Sequence, residues 1–425
     1  MAGFGVCIFE DSAHAGFLPL VYSRAVFELR CGVFALWEKI TRNYAGDVEF
    51  FCITRPYVAK VLSERLTLAV NRVADFSGET MLFINGRLLA PPALSQLFPV
   101  EGRPACFLSE GELVAFRMDQ PTLRERFADP EAFLTSDFSS KVAAELPVSV
   151  VKATLLKYPW EVVSNNPGQI GADFDMSRQG GRIEGEVDER AVIYNARAVH
   201  ISRGARIDAG VVIDARGGPV FVGTDAKVSA FTRIEGPCSI GENCILVGGR
   251  ITGGCSLGPC CRVGGEVEQT IFQGYSNKYH EGFIGHSYVG EWVNLGALTT
   301  NSDLRNTYTN VSVVVEGHPV QTNMLKVGTF VGDFTRTGIG TLLDTGSTLG
   351  FSTNVFGGRR VLPKYVPSFV WGDGDSFAEY TLGKAVATAQ NMTDRRGVAW
   401  SSNSEELMHK VFELTKVERH KLLAE

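Results

Sequence analysis

The segment Tyr275-Ser-Asn-Lys-Tyr-His280 places an imidazole two residues after the ammonium of Lys278. An unperturbed imidazole titrates near pH ~6.5, so His280 is suited to take a proton close to neutrality. A second chemical cluster lies near the N-terminus, where Glu10 and Asp11 follow the apolar run Val6-Cys-Ile-Phe9. Adjacent carboxylates can coordinate Mg2+ through their oxygens. Cys238, Cys244, Cys255, Cys260 and Cys261 form a third group with the look of a metal site.

The elements that must position these residues follow from a repeat. Of 46 glycines, 32 fall in residues 181–375, which marks a change of architecture. From Leu325, aliphatic or small residues recur every six: Leu325, Val331, Thr337, Leu343, Leu349, Val355. Four residues after the later starts stand Thr335, Thr341, Ser347 and Thr353. Earlier runs share the pattern: Ile201, Ile207, Ile213; then Val222, Val228, Ile234, Ile240; then Ile251, Leu257, Val263; then Phe283, Val289, Leu295. A period of six is neither helical nor simple strand alternation. It predicts a parallel β-helix of hexapeptide repeats, three short strands to a coil. Each aliphatic points inward, and the position four later must be small. Cys238, Cys244, Cys255 and Cys261 fall in that small slot, so they read as small hydrophobes and no zinc site is expected.

Two stretches break the period, 264–282 and 300–324, and each is expected to project as a loop carrying function. His286 and His318 lack a matching context and read as surface residues. Residues 1–160 look different. Val6–Phe9, Val48–Thr54 and Met81–Ile84 read as buried strands, with a helix near Pro56–Leu66 and a hairpin across Glu110-Gly111. That alternation predicts an α/β sheet. Residues 161–180 read as a linker, 181–374 as the β-helix and 375–425 as a helical tail, with helices over Phe377–Asp394 and Ser404–Leu423.

Composition narrows the function. The 425 residues are 44% hydrophobic and 21% charged, with a net charge of -6. A globular protein of two or three domains is expected, and a nucleic-acid binder would carry a basic surplus. No apolar run approaches the ~20 residues of a membrane helix. The N-terminus has no basic n-region, and nine cysteines, an odd number, lack scaffold spacing. A cytoplasmic protein with reduced thiols is expected.

Three segments carry a family resemblance: Phe17-Leu-Pro-Leu-Val-Tyr-Ser-Arg-Ala-Val-Phe-Glu-Leu-Arg-Cys-Gly32 with Trp37-Glu-Lys39; Val263-Gly-Gly-Glu-Val-Glu268 leading to His280; and Gly290-Glu-Trp-Val-Asn-Leu-Gly-Ala297 with Val366-Pro-Ser-Phe-Val-Trp-Gly372. The chain resembles the alternative bacterial branch of the bifunctional UDP-N-acetylglucosamine diphosphorylase/glucosamine-1-phosphate N-acetyltransferases. The resemblance implies an α/β nucleotidyltransferase-like (Rossmann-like) domain, a left-handed parallel β-helix and a C-terminal helical tail.

It further implies that His280, which precedes Val293-Asn-Leu-Gly-Ala297 by the family's interval, is the general base on the amine of glucosamine 1-phosphate. Lys278, Glu266, Glu268, Asn294 and Arg250 would bind the sugar phosphate. Ala297, Asn301, Asp303, Asp333 and Phe351 would lie near acetyl-CoA. Phe283 stands where better-known members have tyrosine. In the nucleotidyltransferase half Arg24, Arg30, Asn85 and Gly86 would bind UTP, with Glu10 and Asp11 on Mg2+. The glycine-rich G-x-G-T-R loop of better-known members is replaced by Phe9-Glu-Asp-Ser-Ala-His-Ala-Gly16, and Asn85-Gly-Arg87 stands where they have a metal aspartate. The expected function is acetyl transfer to glucosamine 1-phosphate coupled to uridylylation, in a homotrimer. Two alternatives stay open: a nucleotidyltransferase for another sugar 1-phosphate with a purely structural β-helix, and a non-catalytic sugar-nucleotide scaffold.

Overall fold

The computed structural model describes residues 3–120, 122, 129–358 and 360–424. The chain divides into two compact units. One comprises Met1–Phe17, Ser23–Leu29 and Phe34–Lys157; the other comprises Leu18–Tyr22, Arg30–Val33 and Tyr158–Glu425.

The first unit is built on a seven-stranded sheet. Its strands are β1 (Phe4–Phe9), β2 (Val48–Ile53), β3 (Ala69–Val70), β4 (Thr80–Asn85), β5 (Ala105–Ser109), β6 (Glu112–Asp119) and β7 (Val148–Val150), in the order β3-β2-β1-β4-β6-β5-β7. β1 pairs in parallel with both β2 and β4, and its continuous apolar run suits a strand buried on both faces. The order reverses at β1, so a crevice opens beyond the C-terminal ends of β1 and β4. Glu110 and Gly111 both take positive φ, 51° and 83°, as a two-residue hairpin between β5 and β6 requires. Phe83 and Phe116 are register partners, and their rings stack at 4.4 Å inside a cluster with Phe9, Phe133 and Phe138.

The second unit is a stack of coils preceded by the helix Pro159–Ser177. Val220 pairs with Cys238, one coil of eighteen residues later. Stacking the hexads in this way produces three inward files of aliphatics. One runs Val222, Ile240, Leu257, Phe272, Val289, Val331, Leu349, Val366, each residue paired with the next. All eight are buried, at ~1.5–3 kcal/mol each for a fully buried aliphatic or aromatic side chain. Cys238, Cys244, Cys255 and Cys261 are also fully buried among these aliphatics. Their size satisfies the small slot.

Two local expectations need correction. Residues 264–282 do not project as a loop. Ile271–Gly274 and Asn277–Lys278 pair in register with Cys255–Leu257 and Arg262–Glu268, so the stretch is a shortened coil and His280 lies at one of its corners. The 300–324 stretch does project, as the antiparallel hairpin Ser312–Val315 with His318–Gln321. Phe377–Glu379 is not helical. It pairs antiparallel with Val370–Gly372, and the tail helices are Leu382–Asp394, Ser402–Leu414 and Lys416–Ala424. The side chain of Ser401 caps the second of these by accepting from Ser404 N.

Candidate active sites

In the first unit the crevice beyond β1 and β4 is lined by charge pairs. Glu10 is fully buried, with Oε1 accepting from Val26 N at 2.7 Å and from Arg55 Nη2 at 3.1 Å, while Oε2 accepts from Arg55 Nε and the Thr54 hydroxyl. Burial alone would raise its pKa. The charges of Arg55 and His14, with the hydrogen bonds from Thr54 and Arg55, outweigh that and hold the carboxyl below its ordinary value. Asp11 accepts from Arg87 Nε at 2.9 Å and Nη2 at 2.7 Å, and from Asn85 Nδ2 at 2.8 Å. Arg87 also reaches Glu112, which pairs with Lys157.

The expectation that Glu10 and Asp11 hold Mg2+ does not fit this arrangement. Both carboxylates face guanidinium groups, and a divalent cation there would meet two positive charges. Among the described residues no group of three or more His, Cys, Asp or Glu side chains is placed to hold a metal.

Asn85 is buried, bonded to Asp11, to Leu113 O and to Arg87 N. Gly86 packs so closely on Phe27 that a Cβ would come within 2.7 Å of its ring. Arg24 is buried and Arg30 half-buried. The backbone N–H of Arg30 is held by Gln273 and Tyr288, so Arg30 belongs to the second unit and not to the crevice. Arg55 and Arg87, which organise the crevice, went unrecognised in the sequence.

In the second unit His280 is exposed at a coil corner. Lys278 explains how that corner is held. It occupies an inward file position, partnered with Val263 where other coils carry aliphatics, and is 1% exposed. Its Nζ donates to His280 O at 2.8 Å and Gly264 O at 2.9 Å. Burial pulls its pKa down to about 8, against the opposing charges of Glu281 and Glu266. The expected contact of Lys278 with a sugar phosphate therefore gives way to a positioning contact with the His280 corner. Arg250 and Glu266 are register partners and form an exposed ion pair. Asn294 lies one coil after Asn277, and its Oδ1 accepts from Asn277 Nδ2 at 3.2 Å.

His286 is not a surface residue. It is 7% exposed, and its Nδ1 lies 2.7 Å from Asp303 Oδ2. Lys326 Nζ stands 4.0 Å from the same carboxylate oxygen and 3.2 Å from Glu268. Burial would raise the Asp303 pKa, but the hydrogen bond and charge of His286 and the charge of Lys326 hold it below its ordinary value. The signal was available in the sequence, since His286 and Asp303 are 17 residues apart, about one coil.

Three of the expected acyl-donor residues are internal. Asn301 fills the file position partnered with Leu343, and its amide bonds both the N–H and the C=O of Gly285. Asp333 accepts from Glu291 N at 2.8 Å, and Phe351 packs between Phe334 and Phe369. All three are nearly or fully inaccessible, so they shape the coils and cannot line a donor pocket. Ala297 remains part-exposed beside the His280 corner, where Leu298 N donates to Glu281 O.

Comparison with known proteins gives partial likenesses. Residues 6–182 match the family model of the sugar nucleotidyl transferases. A bifunctional sugar-1-phosphate nucleotidylyltransferase/acetyltransferase of Sulfurisphaera tokodaii is 31% identical over 96 residues, 23% of this chain and 24% of that protein. The bifunctional protein GlmU of Acaryochloris marina is 26% identical over 164 residues, 38% of this chain and 28% of that protein. The chain thus spans about a quarter of the length of these curated relatives. Among solved structures, a UDP-N-acetylglucosamine acyltransferase of Arabidopsis aligns over 57% of this chain and 91% of its own, at 13% identity and TM-score 0.25. That of Francisella novicida covers 55% and 78%, at 11% identity and TM-score 0.23. As expected from the sequence, an α/β domain is followed by a parallel β-helix and then by tail helices. Among the described residues no helix is long and apolar enough to cross a membrane.

Proposed function

We propose that the chain is a bifunctional transferase. Its β-helix, 181–374, acetylates glucosamine 1-phosphate from acetyl-CoA, and its N-terminal region, 1–160, joins a sugar 1-phosphate to the uridylyl group of UTP. Residues 161–180 link the two, and 375–425 form a tail. The observation that carries the acetyl-transfer reading is the His280 corner. An exposed imidazole is held by its own backbone carbonyl on the buried Lys278 ammonium, just beyond the strand whose Asn277 pairs with Asn294.

At neutral pH the substrate amine is an ammonium and has no lone pair. Nε2 or Nδ1 of His280 takes one proton. The freed amine attacks the thioester carbonyl and the C–N bond forms; the nitrogen then gives up its second proton as the C–S bond breaks, and that proton neutralises the departing coenzyme thiolate. Arg250 and Glu266 would meet the phosphate and hydroxyls of the sugar at the neighbouring coil. Any magnesium would arrive with the nucleotide rather than be held by Glu10 and Asp11. Assembly as a trimer and a cytoplasmic location belong to the same proposal, the latter on nine cysteines, an odd number without scaffold spacing.

A specific observation favours a second reading of the base. His286 has the carboxylate orienter that His280 lacks among the described residues, and imidazole–carboxylate pairs are a recurrent arrangement for general bases. Purified protein incubated with a panel of sugar 1-phosphates, with acetyl-CoA and with each nucleoside triphosphate, tests the proposal. Coenzyme A release should require an amino sugar 1-phosphate. Release at the same rate with no acceptor, or none with any acceptor, contradicts it.

A further inference from the structure

A cleft of about 430 Å3 lies in the second unit between one face of the coils and the helix Leu382–Asp394. Its floor is a register file, Arg262, Asn277, Asn294, Arg336, each paired with the next. Arg395 and Arg396, at and just beyond the end of the helix, supply two more guanidinium groups to the same cleft. Arg396 is fixed by neutral acceptors only, with Nη1 donating to Cys260 O at 3.0 Å and Nη2 to Asn277 Oδ1 at 2.6 Å. Arg336 reaches Thr388 O at 3.4 Å.

Among the described residues none of the four arginines has a carboxylate partner, and no carboxylate lines the cleft. Glu242 and Glu291 are the acids felt nearby, on the Tyr275 side. Burial pushes the pKa of Arg336 down, and for Arg396 burial is joined by repulsion from Arg262 and Arg395. A guanidinium stays charged in every accessible pH range, so this concentration of positive charge persists in a chain whose net charge is -6. Half-buried cations without counter-ions are costly, and an anion bearing several charges would relieve that cost. One wall is aromatic, with the rings of Tyr275 and Trp292 stacked at 4.4 Å and 20°. The volume suits a ligand of nucleotide size.

We propose that this cleft binds the phosphates of a nucleotide, with its planar ring against the Tyr275–Trp292 wall. Two sources offer that chemistry: the phosphorylated adenosine end of coenzyme A, and a uridine di- or triphosphate. The inference rests on the charge and shape of the cleft and not on acetyl transfer itself.

The experiment is calorimetric titration of the full chain with coenzyme A, UTP, UDP and inorganic pyrophosphate. Each is repeated on Arg262→Gln/Arg395→Gln, chosen because both side chains are exposed and the fold does not rest on them. At least one nucleotide and pyrophosphate should bind the wild type, and the double variant should weaken both by about tenfold or more, the worth of a charge-assisted contact. Arg396→Lys, which keeps charge but loses the fixed fork, should also weaken binding. Coenzyme A binding tighter than UTP within the arginine-sensitive component assigns the cleft to the acyl donor; the reverse order assigns it to the uridine nucleotide. No binding up to millimolar concentrations, or binding undiminished in a double variant with unchanged melting temperature, overturns the proposal.

Discussion

Lys278 ties packing to chemistry at the residue scale. A lysine in an inward file position is costly to keep protonated, and its pKa of about 8 expresses that cost. Between about pH 8 and ~10.4 the folded lysine has lost its proton while the unfolded one keeps it. Folding then releases a proton, and raising the pH through that window favours the fold. The melting temperature of wild type should therefore climb relative to that of Lys278→Met from pH 8 to 10. Parallel curves would show that the ammonium is not buried in this slot. His286 and Asp303 offer a second test. If they only brace the coil, Asp303→Asn should lower stability and leave turnover per folded molecule intact. If His286 is the base, the same variant should cut turnover and shift the acid limb of the pH–rate profile.

Elements were legible where the sequence repeats itself. The six-residue period exposed the β-helix because every coil obeys the same packing rule, so Val222, Ile240 and Leu257 announce one another. The small slot was legible for the same reason. We expect Cys255→Ala to be tolerated and Cys255→Leu to cost ~1–3 kcal/mol in denaturant unfolding, as overpacking does. Equal, negligible effects would mean that the slot is not tight. Where the repeat shortens, periodicity misled: 264–282 looked like an inserted loop because its coil is compressed, and Lys278 looked like a ligand because it is charged. Nor could spacing reveal that Arg55 and Arg87 would meet Glu10 and Asp11, since those contacts join the ends of strands far apart in the chain. His286 with Asp303 was legible in principle, at one coil's separation, but a rule for adding coil lengths was needed to see it.

The whole molecule joins an α/β domain, matched by the sugar nucleotidyl transferase model, to a β-helix, and the proposed account gives each its own chemistry. Coiled faces of this kind pack well against copies of themselves, so light scattering at micromolar concentration should give a mass near three chains; a monomer would count against an acyl site shared between subunits. The central claim is narrower, that the His280 corner performs acetyl transfer. Its most direct test is the rate of coenzyme A release from acetyl-CoA with glucosamine 1-phosphate, measured for wild type and His280→Ala on preparations of known melting temperature. The account predicts a fall of ~10²–10⁴-fold, the usual contribution of a positioned base, with the melting temperature unchanged and the neutral-pH limb of the rate profile lost. A His280→Ala protein that turns over at the wild-type rate would contradict it.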